Sequence, residues 1–220
     1  IERHKVRRVV FTSEQNAERI KKRLPHLEIF VVTEGIDASV YGEGKMLHER
    51  TIDFFEFGRN NRVLFNPTSW NDIRHISTSD FSRRVSDKEL RKMMGDAKTV
   101  VTLPKCDTDA EIADGVETLT QRYWEAMLSR IVMIGHAPKE LVDLLGYNPC
   151  IEMEGFVSHR GMSKYAIEPL DNEKLHRQVS DIINNISAYQ SLVDRNRDAA
   201  LRLAPWELRM RQVKEWLEKI

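Results

Sequence analysis

Glu117-Thr118-Leu119-Thr120-Gln121-Arg122-Tyr123-Trp124-Glu125-Ala126-Met127 is the stretch that decides the reading of this chain. Two carboxylates stand eight residues apart in what the pattern predicts to be one helix, running from Glu117 to Ser129. On a helix that spacing sets them about 80° apart around the axis and ~12 Å along it. Glu117 is thus expected at the helix mouth and Glu125 on a neighbouring face further along. A strand-like run, Thr99-Val100-Val101-Thr102-Leu103-Pro104, precedes the stretch, and a second apolar run, Ile131-Val132-Met133-Ile134-Gly135, follows it. Strand, loop, helix mouth and strand is an arrangement by which α/β proteins meet anionic ligands, because the free N–H groups of a first helical turn face the ligand.

Working outward, the chain alternates strands and helices. Val6–Phe11 reads as a buried strand, and Ser13 is placed to cap a helix over Glu14–Leu24, which Pro25 ends. Ile29–Val32 is a second strand, so residues 1–40 read as a strand-helix-strand unit. Residues 41–50 are polar and contain glycine, and read as a linker. Residues 51–220 read as the main domain. Its first strand is Thr51–Phe57, and Val63–Asn66 is a candidate second. Residues 67–86 lack periodicity and read mostly as loop. Ser86-Asp87-Lys88-Glu89 has the form of a capping box opening a helix to about Met94. A strand over 98–103, a polar loop over 104–116, the double-glutamate helix, a strand over 131–135 and a helix over 138–145 follow, the last stopped by Gly146. Ile151–Met153 is a short strand, 154–167 a loop, and 171–184, 188–203 and 205–220 are helices. This alternation predicts an α/β fold: a Rossmann-like parallel sheet with helices on both faces. In such sheets ligands bind beyond the carboxyl ends of the strands, which is where Arg59, Lys105 and Glu117 fall.

Composition narrows the function classes. The 220 residues carry 34 Lys+Arg and 34 Asp+Glu, a net charge of zero, which argues against a dedicated nucleic-acid binder. The basic clusters at Arg3–Arg8 and Lys21–Arg23 read as solvated flanks. Hydrophobic residues make up 41% and charged residues 31%, as in a soluble globular protein. Cys106 and Cys150 form neither a disulfide framework nor a zinc pattern, so a reducing cytoplasm is the expected compartment. No apolar run approaches the ~20 residues of a bilayer span, and no signal peptide is visible. The chain opens on Ile1 within an α/β pattern already under way, as expected of a fragment.

The landmarks together resemble a known family. Glu117-x7-Glu125 with Ala126-Met127, the strand after it and the turn His136-Ala137-Pro138-Lys139-Glu140-Leu141 are similar to the nucleotide-sugar site of GT-B-fold glycosyltransferases. These are the retaining, family-1-like bacterial enzymes often involved in surface polysaccharide synthesis. Thr33-Glu34-Gly35-Ile36-Asp37 resembles the turn that closes their N-terminal domain. Ile52–Arg59 resembles the first strand of their C-terminal domain with its terminal Gly-Arg, and Pro205–Arg211 resembles their closing helices. The resemblance covers roughly residues 30–220.

The resemblance implies the following roles. Arg59 grips the donor diphosphate, for which a planar, permanently charged guanidinium is suited. Glu117 contacts the donor sugar and Glu125 clamps the ribose hydroxyls, since carboxylates accept bidentately from diols. Thr118 and Thr120 offer N–H or hydroxyl groups. The family's lysine shortly after the Gly-Arg is not evident here; Arg62 stands nearby, and Lys105 is a weaker substitute. Arg130 stands where the family turns with a small residue and reads as a looser turn. No cofactor or essential metal is implied, because cations and a helix N-terminus serve the leaving group. The implied partners are a UDP- or GDP-sugar donor, a carbohydrate or lipid-linked acceptor and the rest of an N-terminal domain; peripheral membrane association is compatible with these.

Plainer readings stand beside these. Glu117 read alone is an acid stabilising a helix start, Glu125 a solvated helix position, and Arg59 a surface arginine. Tyr123, Trp124, Met127 and Leu128 read as an apolar helix face, and His136 as a structural histidine. Asp107-Thr108-Asp109 has the D-x-D form of the metal-dependent transferase fold, but polar loops produce such triplets readily. A non-catalytic nucleotide-sugar-binding or scaffold module of the same fold is the alternative function.

Overall fold

The computed structural model describes residues 5–58, 70–108, 113–154 and 172–219. The chain opens with strand β1 (Arg8–Phe11), helix α1 (Glu14–Arg23) and strand β2 (Glu28–Val31). β1 and β2 pair in parallel, Arg8 opposite Glu28. Ser13 caps α1 by accepting from the Asn16 N–H at 3.4 Å, and Lys21, Lys22 and Arg23 fill the last turn, where positive charge suits the helix dipole.

A five-stranded parallel sheet follows, in the order β4-β3-β5-β6-β7. Its strands are β3 (Ile52–Glu56), β4 (His75–Ser77), β5 (Ala97–Thr102), β6 (Val132–Gly135) and β7 (Ile151–Glu152). Between and after them come α2 (Asp87–Met94), the single turn α3 (Lys105–Thr108), α4 (Gln121–Leu128), α5 (Lys139–Leu145), α6 (Asn172–Asn184), α7 (Gln190–Leu203) and α8 (Trp206–Glu218). The α/β parallel-sheet expectation is met.

Strand pleat divides the core in two. Phe55, Val100 and Met133 turn to one face and pack with Tyr123, Trp124, Met127 and Leu128 of α4. Phe54, Val101, Val132 and Ile134 turn to the other and pack with Leu175, Val179 and Ile182 of α6. The α4 aromatic face is core, as its spacing predicts. α8 returns to the opening unit: Trp216 stacks on Phe30 with centroids 5.3 Å apart, and the Arg8 guanidinium lies 5.7 Å from the Trp216 ring. The segment 34–36 is pinned from two sides. Trp124 Nε1 donates to the Glu34 carbonyl at 2.8 Å, and Ile36 exchanges backbone bonds with Ala204 and Trp206.

Several expectations are sharpened or corrected. The Ser86 capping box is formed in full, Ser86 Oγ accepting from the Glu89 N–H while the Glu89 carboxylate accepts from the Ser86 N–H. The stretch 67–86 contains β4, whose three residues are too few for an alternating pattern to show. The candidate strand Val63–Asn66 lies outside the described residues, as does most of the 154–167 loop. Within residues 41–50, Tyr41, Leu47 and Arg50 are buried and the other seven residues are exposed. Arg130 sits at φ 55°, the left-handed region that a small residue meets without strain, and is buried and ion-paired to Asp194 rather than loose. The largest correction concerns the double-glutamate helix, which begins at Gln121 and not at Glu117. Thr120 is extended, at φ −108° and ψ 160°. The N–H groups of Glu117 and Leu119 go to side chains distant in sequence, so they are lost to any helical ladder. Glu117 and Glu125 therefore do not share one helix.

Candidate active-site cleft

The carboxyl ends of β3 and β5 open into a cleft of about 730 Å³. Phe57 and Gly58 enter it from β3; Leu103, Lys105 and Thr108 enter it from β5 and α3. Thr118, Thr120, Gln121, Arg122 and Glu125 come from the segment leading into α4, and Glu34 from the opening unit. Four of the residues singled out in the sequence, Lys105, Thr118, Thr120 and Glu125, thus meet in one place. Arg59 and Arg62 lie outside the described residues, Arg59 directly after Gly58 in the chain. Glu117 does not line this cleft; it is buried, and its Oε1 faces His136 Nε2 at 3.1 Å.

Glu125 is largely enclosed. Burial raises its carboxyl above the ordinary range, while the Tyr41 hydroxyl, donating to Oε1 at 3.2 Å, and the Arg122 charge work in the opposite direction. Among the described residues no donor occupies Oε2, on which a ligand hydroxyl can donate.

Arg122 is the cation that sequence reading missed. Its guanidinium lies 5.5 Å from the centre of the Phe57 ring, a cation–π contact that fixes its direction. It also crowds Gly58: a Cβ on that residue would stand 2.6 Å from Arg122 Nη2, and Gly58 itself is at φ 74°. A signal was available. Residues 122 and 125 are three apart on one helix, so a functional Glu125 puts Arg122 on the same face.

The helix mouth is not bare. The Gln121 N–H donates to Glu34 Oε2 at 3.2 Å, and Gln121 Nε2 donates to the Gly35 carbonyl. The N–H groups of Thr118 and Thr120 have no acceptor among the described residues.

No three His, Cys, Asp or Glu side chains converge among the described residues as a metal site would need. Asp107 of the D-x-D triplet is buried, and Asp109 lies outside the described residues. A second cavity, of about 550 Å³, is lined by Ile52, Phe81, Met93 and Asp96. It sits at the amino-terminal edge of the sheet, away from the edge where parallel α/β sheets bind ligands.

The fold can be placed among known ones. The crystal structure of Anabaena HepE in complex with UDP and glucose matches with a TM-score of 0.62 at 11% identity, covering 97% of this chain and 64% of that one. The fold is that of the GT-B glycosyltransferases. Sucrose-phosphate synthase from Thermosynechococcus elongatus matches with a TM-score of 0.58 at 13% identity, covering 96% of this chain and 58% of that one. The chain spans about three-fifths of the length of these GT-B structures. At such identities the likeness carries the fold. The sequence matches no protein-family model and no curated protein. Within the GT-B frame the five-stranded sheet is the Rossmann-like C-terminal half, and no described helix is long and apolar enough to cross a membrane.

Proposed function

We propose that this chain binds a nucleoside-diphosphate sugar in the cleft at the carboxyl edge of the five-stranded sheet, as part of a glycosyltransferase. The observation that carries the reading is the meeting of two cations, two backbone N–H groups without an acceptor among the described residues, and an enclosed carboxylate in one space of about 730 Å³. In this reading Lys105, Arg122 and the following-strand residue Arg59 take the diphosphate, with Arg62 as a further candidate. The Thr118 and Thr120 N–H groups add to the same task. Glu125, held by Tyr41 through one oxygen, takes ribose hydroxyls with the other; Glu117, buried outside this space against His136, takes no part in this scheme.

The chemistry follows from charge. Breaking the bond between the anomeric carbon and the β-phosphate oxygen leaves negative charge on the diphosphate, which fixed cations and N–H dipoles stabilise. The acceptor oxygen bonds to the same face of the anomeric carbon, and its proton passes to the departing phosphate oxygen, so configuration is retained. No divalent ion is required in this scheme. Surface polysaccharide or glycoconjugate synthesis is the proposed setting, with a carbohydrate or lipid-linked acceptor.

Calorimetric titration with UDP, GDP, UDP-glucose and GDP-mannose, with and without EDTA, tests the reading. Saturable binding that survives EDTA and weakens in Glu125→Ala is expected. Absence of binding to all four, with intact binding of a protein partner, would favour a scaffold role.

A further inference from the structure

The segment 117–121 is held in an unusual way. The Glu117 N–H donates to Gln15 Oε1 at 3.0 Å, the Leu119 N–H to Glu140 Oε2 at 3.1 Å, and the Gln121 N–H to Glu34 Oε2 at 3.2 Å. Every second N–H is thus taken by a side-chain acceptor. The alternate residues, Thr118 and Thr120, line the cleft, and their N–H groups have no acceptor among the described residues. An extended backbone turns successive groups to opposite sides, so fixing one set of N–H groups also fixes the direction of the other. Backbone polar groups are otherwise paired in secondary structure or by water, so three side-chain acceptors in succession mark a conformation that the surroundings impose.

The origin of the acceptors matters as much as their number. Gln15 belongs to α1 and Glu34 follows β2, so both come from the opening unit. Glu140 joins the two parts: its Oε1 accepts from the Glu14 N–H at 2.7 Å, at the first residue of α1, while Oε2 holds Leu119. It is buried, and burial raises its carboxyl while these two N–H groups oppose the shift. Arg19 of α1 adds contacts to the Asp114 carboxylate and carbonyl at 2.7 and 2.9 Å.

We infer that Gln15, Glu34 and Glu140 are positioning residues for the donor-binding segment, and that docking of the opening unit is what aims the Thr118 and Thr120 N–H groups at the ligand. This rests on the proposed nucleotide-sugar function. Neither Gln15 nor Glu140 lines the cleft, so each acts through the backbone it holds.

The test uses Gln15→Ala, with Gln15→Glu as the variant that keeps an acceptor. Amide hydrogen exchange across 117–121 and the Kd for UDP or GDP are measured together. Gln15→Ala is expected to speed exchange of the Glu117 amide about tenfold and to raise the Kd about fivefold, with little change in melting temperature. Gln15→Glu is expected to restore both. Glu140→Gln, which places an NH2 against one of two donors, should speed exchange at Leu119 or Glu14 and raise the Kd likewise. Faster exchange with unchanged Kd, or no change in either, would overturn the inference while leaving the binding function standing. If the unaltered protein binds neither nucleotide, the function fails and the positioning role falls with it.

Discussion

The Tyr41 hydroxyl donates to Glu125 Oε1 at 3.2 Å, so a residue before the five-stranded sheet sets the orientation of a carboxylate inside the cleft. Burial raises the pKa of both groups; the Glu125 carboxylate makes Tyr41 harder still to ionise, while the hydrogen bond from Tyr41 opposes the rise at Glu125. A carboxyl whose folded pKa lies above its unfolded value binds its proton more tightly when folded. Its contribution to stability is therefore complete below about pH 4.3 and is lost as pH rises through the folded pKa.

Glu125→Gln should accordingly gain stability relative to the unaltered protein as pH rises from 4 to 8. It should at the same time lose nucleotide affinity by about tenfold, because an amide offers one acceptor in place of a carboxylate's two. Melting curves across that pH range, paired with titration of UDP or GDP, check both halves.

Arg122→Ala is expected to weaken nucleoside-diphosphate binding about tenfold and Lys105→Ala about threefold. Arg122 is the better anchored of the two, by its contact with Phe57. The losses should shrink as salt rises, since these are charge contacts open to solvent. Calorimetry at two ionic strengths measures this.

Two glycines at the strand ends should respond differently to alanine. A Cβ on Gly135, at φ 146°, would stand 2.0 Å from the Thr102 carbonyl oxygen, between two paired strands with no room to move. Gly135→Ala should cost several kcal/mol, on the order of 3 or more, or prevent folding. At Gly58 the obstacle is the far end of Arg122, so Gly58→Ala should cost about 1–2 kcal/mol in stability and displace that guanidinium. Chemical denaturation separates the two.

Cys106 and Cys150 are both buried, and burial pushes the Cys150 thiol up to about 12. Neither should react with a maleimide at pH 8 in the folded protein, while both should label in denaturant, as mass spectrometry would read.

Much of the scaffold was legible because it is written locally. The apolar runs at 98–103 and 131–135, the Ser86–Glu89 capping box and the Gly146 stop each name an element through residues within one or two turns of each other. The error at Glu117 has the opposite cause. Nothing within residues 117–121 shows that Gln15, Glu34 and Glu140 will claim alternate N–H groups, because those partners lie between 21 and 102 residues away in the chain and meet the segment only after folding. Arg122 was overlooked although it stands inside the quoted stretch. Its role depends on Phe57 and Gly58, which reach it across the sheet edge. Lys105, Thr118, Thr120 and Glu125 line one cleft, as expected where the family pattern and the strand-end rule point to the same edge.

The two cavities, at opposite edges of one sheet, allow the central claim to be tested in a single measurement. Titration of isotopically labelled protein with UDP and with GDP, followed by backbone amide chemical shifts, locates the ligand. The account predicts saturable shifts at Lys105, Thr118, Thr120 and Arg122, with residues 42–45 and 93–96 unmoved. Shifts confined to the amino-terminal edge around Phe81 and Met93, or no shifts at millimolar nucleotide, would contradict it.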